Sequence, residues 1–244
     1  MSGSQGTGYR ALVAGATGAT GRELVAELLR DPTCREVTAL SRNVPSNLAE
    51  TFPSMDPALA VGRLTLKAVD WEAMSRDPSP YLAIFQGQHF VAMCMGTTRK
   101  DAGSAEAFRR VDLEYVTVFA NAVKTMGMGS LQHYSQVSST GANKDSWFLY
   151  MKTKGEADEM AVKCKFPRLT VFRPGLLFRE DKARWVEKVG AWCTSAMPVK
   201  TLAAAMLADY HQAVQEGRDD GRPRYLGNTE IYVVTKNYKG KTEK

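Results

Sequence analysis

The stretch Ala11-Leu-Val-Ala-Gly15-Ala-Thr-Gly18-Ala-Thr-Gly21-Arg-Glu-Leu-Val25 decides how the rest of the chain is read. An apolar run breaks into three glycines spaced three apart and then turns amphipathic, the pattern of a strand, a tight turn and a helix. A helix N-terminus leaves backbone N–H groups unpaired and carries partial positive charge, so a turn that admits a diphosphate closely makes an anion site there. Gly15 permits the tight turn, Gly18 has no side chain to exclude phosphate, and Gly21 lets the helix pack on the strand. Strand before and helix after make this a dinucleotide cradle formed by Gly15, Ala16, Thr17, Gly18, Ala19, Thr20 and Gly21.

Working outward, apolar strand-like runs alternate with helical periodicity, which predicts an α/β fold with a doubly wound parallel sheet and helices on both faces. Strands are expected at Tyr9–Ala14, Glu36–Leu40, Leu64–Val69, Phe90–Met95, Leu131–Val137, Leu169–Phe172 and, late in the chain, Glu230–Thr235. Helices are expected after Gly18, at Ala105–Met126 as the longest, from Phe148 through Ala161, around Ala183–Thr194 and at Val199–Gln215. The proline-rich stretch from Asn43 to Gly62 reads as a loop with one short helix.

With 244 residues the chain fits a single domain over residues 9–235, preceded by a flexible tail at 1–8 and followed by a basic tail at 236–244. Substrate-side elements, a small C-terminal extension of the domain, are expected mainly within 176–230. There Leu176, Phe178, Trp185 and Trp192 either line an apolar pocket or pack a core. No apolar run reaches the roughly 18 residues that cross a membrane, and the N-terminus is polar, so a cytoplasmic protein without membrane contact is expected. Net charge is +6, but outside the tail the basic residues are spread along the chain, which argues against nucleic acid. The four cysteines make no Cys-x-x-Cys pair and the three histidines no ligand spacing, so reduced thiols and no metal site are expected.

The end of the second strand selects the nucleotide. A carboxylate about 20 residues past the glycines would bond the ribose 2′-hydroxyl of NAD, whereas an arginine accommodates the 2′-phosphate of NADP. Here the strand ends Leu40-Ser41-Arg42, where a guanidinium can grip phosphate bidentately and Ser41 can donate another bond, which favours NADP(H) over NAD(H). Asp70, after the third strand, is placed either to reach the adenine amino group or to cap a short helix at Trp71.

Chemistry belongs at the carboxyl ends of strands four to six. Tyr150 and Lys154 stand four apart in a helical context, and an ammonium on the same helix face lowers the pKa of a phenol from about 10 and readies it for proton transfer. Tyr232 and Lys236 share that spacing but lie in a stretch that reads as a strand, which would hold them apart. Ser138 and Ser139 end the fifth strand, where a hydroxyl can bond a carbonyl oxygen as charge develops; the alternative is a plain turn.

Together the three glycines, the serines, Tyr150-x-x-x-Lys154 and Arg173-Pro174-Gly175 resemble the short-chain dehydrogenase/reductase superfamily in its extended and atypical branch. Gly96-Thr97-Thr98-Arg99, Val111-Asp112, Ser138-Ser139-x-Gly141-Ala142, Phe148-Leu149-Tyr150, Lys154-Gly155-Glu156 and Phe172-Arg173-Pro174-Gly175 are similar to the Tat-interactive protein 2-like oxidoreductases. The resemblance implies an oxidoreductase that transfers hydride between NADP(H) and a small carbonyl or alcohol substrate. Tyr150 would be the acid or base, Lys154 would hold the nicotinamide ribose, and Ser139, with Ser138 second, would orient the carbonyl. It also implies that Gly96 and Thr97 pass beside the ribose and that Arg173, Pro174 and Gly175 pass beside the nicotinamide amide. Arg42 matches the arginine of that group's Gly-Arg-Arg, whereas Ser41 and Asn43 depart from it. The alternative is an NADP(H)-sensing regulatory or scaffold protein with protein partners and little turnover. Monomer and homodimer are both compatible with the sequence.

Overall fold

The computed structural model describes residues 8–178, 196–217 and 221–242. β1 (Tyr9–Ala14) enters the glycine turn and α1 (Ala19–Arg30), and β2 (Cys34–Ser41) returns parallel beside β1. α2 (Leu48–Thr51) and α3 (Pro57–Ala60) lead to β3 (Leu64–Ala68), then α4 (Trp71–Arg76), a 3₁₀ segment (Ser79–Phe85) and β4 (Phe90–Met93). Next come α5 (Arg99–Ala102), α6 (Ala105–Arg109), a π-helical segment (Arg110–Tyr115), α7 (Val116–Met126), β5 (His133–Val137), α8 (Leu149–Lys163), β6 (Leu169–Phe172) and β7 (Leu177–Phe178). Beyond residue 195 stand β8 (Met197–Pro198), α9 (Val199–Gln215), β9 (Arg224–Leu226) and α10 (Asn228–Thr242).

Seven strands form one parallel sheet in the order β3, β2, β1, β4, β5, β6, β9, while β7 and β8 pair separately. The winding reverses between β1 and β4, and the crevice at such a switch point is where open α/β sheets bind ligands. Alternation along β1 explains the two-layered core. Ala11 and Val13 join Leu24, Leu28, Leu202, Met206 and Ile231 on the face covered by α1, α9 and α10. Leu12 and Ala14 join Phe85, Phe119, Val123, Tyr134 and Ala157 on the face covered by the 3₁₀ segment, α7 and α8. Each such Leu or Phe, once buried, contributes about 1.5–3 kcal/mol relative to exposure, so every strand face is held in register by its own layer.

The structure corrects several expectations. Glu230–Thr235 is not a strand but part of α10, and the last strand is the shorter β9. Its β-branched residues suggest a strand, yet Ile231, Val234, Thr235 and Tyr238 recur at helical spacing and turn towards the core, and burial outweighs propensity. Residues 236–242 of the expected basic tail therefore continue a helix. Ala105–Met126 is helical throughout, but its middle is π-helical, which inserts an extra residue into the turn. The Asn43–Gly62 stretch holds two short helices, capped by Asn47 and Asp56. The helix expected around Ala183–Thr194, with Trp185 and Trp192, lies outside the described residues. Cys34, Cys94 and Cys164 are free thiols. No helix among the described residues is long and apolar enough to cross a membrane.

Candidate functional site

The glycine turn stands at the carboxyl edge of β1. Gly15 adopts φ +72°, and a Cβ there would approach Met95 N to 2.7 Å. Gly21 is required for a different reason: a Cβ there would come within 2.2 Å of the Gly15 carbonyl, so only glycine lets α1 start this close to the turn. At Gly18 a Cβ would meet only the Gly15 carbonyl, at 3.2 Å. Ala16 is buried with its N–H bonded to Leu40 O, Thr20 is buried, and Thr17 and Gly18 are exposed. Gly18 is the N-cap of α1 and supplies no side-chain cap, so the helix start at Ala19 and Thr20 is left to an anionic group such as a diphosphate. Beside the turn, burial pushes the Cys94 thiol up to about 12, so it stays protonated.

At the end of β2, Arg42 is exposed and makes no hydrogen bond or ion pair with the described residues. Ser41 differs from expectation: it is buried and its hydroxyl donates to Asn43 O at 2.6 Å, so the donor proposed for a 2′-phosphate is already used inside the turn. Asp70 caps α4, its Oδ1 accepting from Ala73 N at 3.0 Å, which is the helix-cap alternative.

The chemistry-bearing helix is α8. Tyr150 lies in its first turn, partly exposed, with its ring stacked on Phe108 at 5.6 Å between centroids. Lys154, one turn on, is 6% exposed and its Nζ lies 2.7 Å from Oδ1 of Asp112, which is fully buried. The other oxygen of Asp112 accepts from Thr97 N at 2.8 Å. A Cβ on Gly96 would sit 3.2 Å from both Asp112 Oδ1 and Lys154 Nζ, so the Gly96–Thr97 backbone lies against this pair. Burial raises the Asp112 carboxyl pKa, against the lowering exerted by the Lys154 ammonium and the Thr97 N–H. Arg109 and Glu156, 2.8 Å apart, reinforce the same junction of α6 with α8.

Asp112 has no role assigned from the sequence, but its signal is there. It falls within the π-helical segment, four residues after the buried Phe108, and a carboxylate among the buried positions of a helix needs a partner. The Tyr232–Lys236 comparison is corrected too: α10 places that pair on one helix face as well, so spacing does not separate them. Environment does, because Lys236 is exposed whereas Lys154 is buried against Asp112.

The two serines part company. Ser138 is buried and donates to Asp158 Oδ2 at 2.9 Å, an oxygen that also takes Arg173 Nε at 3.0 Å and Nη2 at 2.9 Å. Gln136 donates to the other oxygen of Asp158 at 3.0 Å. Burial raises the Asp158 carboxyl pKa, while the Ser138, Arg173 and Gln136 contacts lower it. The Ser138 hydroxyl and the Arg173 guanidinium are thus both engaged by Asp158, and the guanidinium also lies 4.3 Å over the ring of Tyr225. Ser139 is less buried, and its hydroxyl donates to Thr140 O at 3.3 Å. Thr140 ties this turn to the next, its N–H donating to Pro174 O and its hydroxyl to Arg173 O, both at 2.9 Å. Gly175 N donates to Asn228 Oδ1 at 2.9 Å, and no local sequence signal points to that partner, 53 residues on.

Comparison with known proteins places this arrangement. The family described as NAD(P)H-binding matches residues 15–209. Protein HTATIP2 of Rattus norvegicus is 34% identical over 239 residues, covering 93% of this chain and 90% of its own length. Protein FMP52-1, mitochondrial, of Scheffersomyces stipitis is 31% identical over 171 residues, covering 70% of this chain and 68% of its own. Among solved structures, a short-chain type dehydrogenase/reductase from Mycobacterium ulcerans superposes with a TM-score of 0.66 at 18% identity, covering 91% of this chain and 90% of that one, a likeness of fold.

Proposed function

The chain belongs to the NAD(P)H-binding family, as an atypical short-chain dehydrogenase/reductase related to protein HTATIP2, and from that premise we propose that it is an NADP(H)-dependent oxidoreductase acting on a carbonyl or alcohol. The observation that carries the reading is Lys154, buried against Asp112 beneath Gly96 and Thr97 and one helical turn from Tyr150. A charge is kept in so dry a place only with a partner, and here the partner sets where the ammonium points.

The nicotinamide, when bound, exchanges a hydride with the substrate carbon. The α1 N-terminus and Gly18 would hold the diphosphate and Arg42 the 2′-phosphate, while Asp70, which caps α4 through Oδ1, would have only its other oxygen to offer the adenine. Lys154 would bond the ribose one helical turn from Tyr150, whose hydroxyl would pass a proton to or from the substrate oxygen. Ser139, the serine not engaged by Asp158, would donate to that oxygen as charge builds. Ser138 stiffens the strand end behind it.

The test is NADPH oxidation over a carbonyl panel: wild type turns over at least one member, and Tyr150→Phe lowers kcat by about 10²-fold or more, the scale of a lost acid–base group. Equal rates would remove Tyr150 from this role. A second reading, an NADP(H)-sensing protein that signals by binding others, is favoured by the full exposure of Trp147 and the 72% exposure of Phe148 beside Tyr150. It predicts NADPH binding without turnover, and a protein partner that the Trp147→Ala variant no longer binds. The proposed compartment is the cytoplasm, with the mitochondrial designation of the fungal relative as the competing assignment; fractionation separates the two.

A further inference from the structure

The side chain of Tyr150 is held by little else than one neighbouring ring. It lies in the first turn of α8, 41% exposed, and its hydroxyl makes no hydrogen bond with the described residues. A side chain at an exposed helix end moves among its rotamers unless a neighbour restricts it, and a reacting group misplaced by roughly 1 Å can lose about 10²-fold in rate. The surface set against Tyr150 is the ring of Phe108, with centroids 5.6 Å apart and an angle of 21° between the planes.

The sheet core does not account for Phe108. It is fully buried, yet it joins neither of the two layers that pack the sheet. It lies in α6, and the π-helical segment begins two residues later at Arg110. Asp112, in that segment, stands four residues after Phe108, as Lys154 stands four after Tyr150. The two helices therefore meet twice at the same spacing, Phe108 against Tyr150 and Asp112 against Lys154. Between them, Arg109 and Glu156 form an ion pair at 2.8 Å that ties α6 to α8 beside these contacts. π-Helical turns are rare and occur frequently at functional sites.

We propose that Phe108 is a positioning residue for Tyr150, its ring face holding the phenol in the orientation that keeps the hydroxyl on the side of α8 that carries the Lys154 ammonium. This role rests on the oxidoreductase reading above. An offset-stacked aromatic pair favours its stacked arrangement by about two- to tenfold. Leucine in place of Phe108 keeps an apolar side chain in the buried space but offers no flat face, so its effect on Tyr150 separates orientation from burial.

The test compares Phe108→Leu with Phe119→Leu in the full chain. Phe119 is also fully buried, but within the core layer under α7, and so controls for burial alone. In Phe108→Leu, kcat for NADPH-dependent carbonyl reduction should fall about tenfold, while KM and the calorimetric affinity for NADPH stay within about threefold. Phe119→Leu should lower Tm and leave kcat within about threefold of wild type. Phe108→Tyr, which restores a flat ring, should recover most of the rate; if it does not fold, the two leucine variants decide, and Phe108→Met stands in for Phe108→Leu on the same ground. Labelling with meta-fluorotyrosine adds a readout that needs no turnover. The fluorine resonance absent from Tyr150→Phe belongs to Tyr150, is displaced by the ring current of Phe108, and should move towards its unfolded-chain position in Phe108→Leu but not in Phe119→Leu. An unmoved resonance or an unchanged kcat in Phe108→Leu, or equal losses of kcat in the two leucine variants, would overturn the proposal. A wild type without turnover overturns the oxidoreductase reading instead, and the resonance alone then decides whether Phe108 holds Tyr150.

Discussion

Lys154 Nζ lies 2.7 Å from Asp112 Oδ1 across the junction of α8 with the π-helical segment, and neither side chain has appreciable contact with water. Removing one partner of such a pair leaves the other charge buried without compensation, which typically costs 3–5 kcal/mol. Asp112→Ala is therefore expected to lower the unfolding free energy by about 3 kcal/mol in urea titration, with Lys154→Met recovering part of that loss in the double variant. Strictly additive effects would show that the two side chains do not stabilise one another.

The glycines of the turn separate folding from binding. Gly21→Ala forces a Cβ to within 2.2 Å of the Gly15 carbonyl and should cost about 1–3 kcal/mol of stability, or more if α1 cannot shift. At Gly18 the added methyl meets only one atom, at 3.2 Å, so Gly18→Ala should unfold within about 1 kcal/mol of wild type yet bind NADPH at least about tenfold more weakly. Calorimetry on both proteins checks the contrast.

Arg42 is exposed at the strand end with nothing among the described residues to hold it, which leaves its guanidinium for a phosphate. Arg42→Glu should weaken NADPH binding by about 10- to 100-fold, the equivalent of one charged hydrogen-bonded contact, and leave NADH within about threefold. Equal losses for the two cofactors would sink the 2′-phosphate assignment.

Asp31 joins distant parts of the fold. Its Oδ2 takes Tyr9 Oη and His211 Nε2, both at 2.6 Å, and its Oδ1 takes the N–H and hydroxyl of Thr33 at 2.8 and 2.7 Å. Burial raises its carboxyl pKa, but the His211, Tyr9 and Thr33 contacts together outweigh burial and hold it well below the usual range. A depressed folded-state pKa contributes stability that is present above the unfolded value of about 3.9 and is lost as pH falls through the folded one. Wild type should therefore exceed Asp31→Asn by a constant margin from pH 7 to about pH 5, and the margin should close below about pH 4, as acid titration of Tm would show.

Much of the fold was legible locally. β6 and α9 stand where hydrophobic alternation and helical period put them, and the glycine turn falls between a strand and a helix as its spacing requires. Failures came where a distant surface overrode a local preference. Val233, Val234 and Thr235 favour a strand in isolation, but the residues of that segment that turn inward are Ile231, Val234 and Thr235, three and four apart as on a helix. The serine pair is the same problem on a smaller scale. Adjacent residues at a strand end project to opposite sides, and nothing local says which side faces Asp158, twenty residues on.

By itself the sequence determined the βαβ order, the cradle and the residue types near it, because these follow from steric freedom at glycine and from periodicities a few residues long. Only the tertiary structure decided that Ser138 is bound to Asp158, that Ser41 is closed off by Asn43, and that Lys154 is clamped by Asp112. Those outcomes turn on hydrogen bonds and ion pairs whose worth depends on which groups share a dry space, and apart from Ser41 and Asn43 the partners lie twenty or more residues apart.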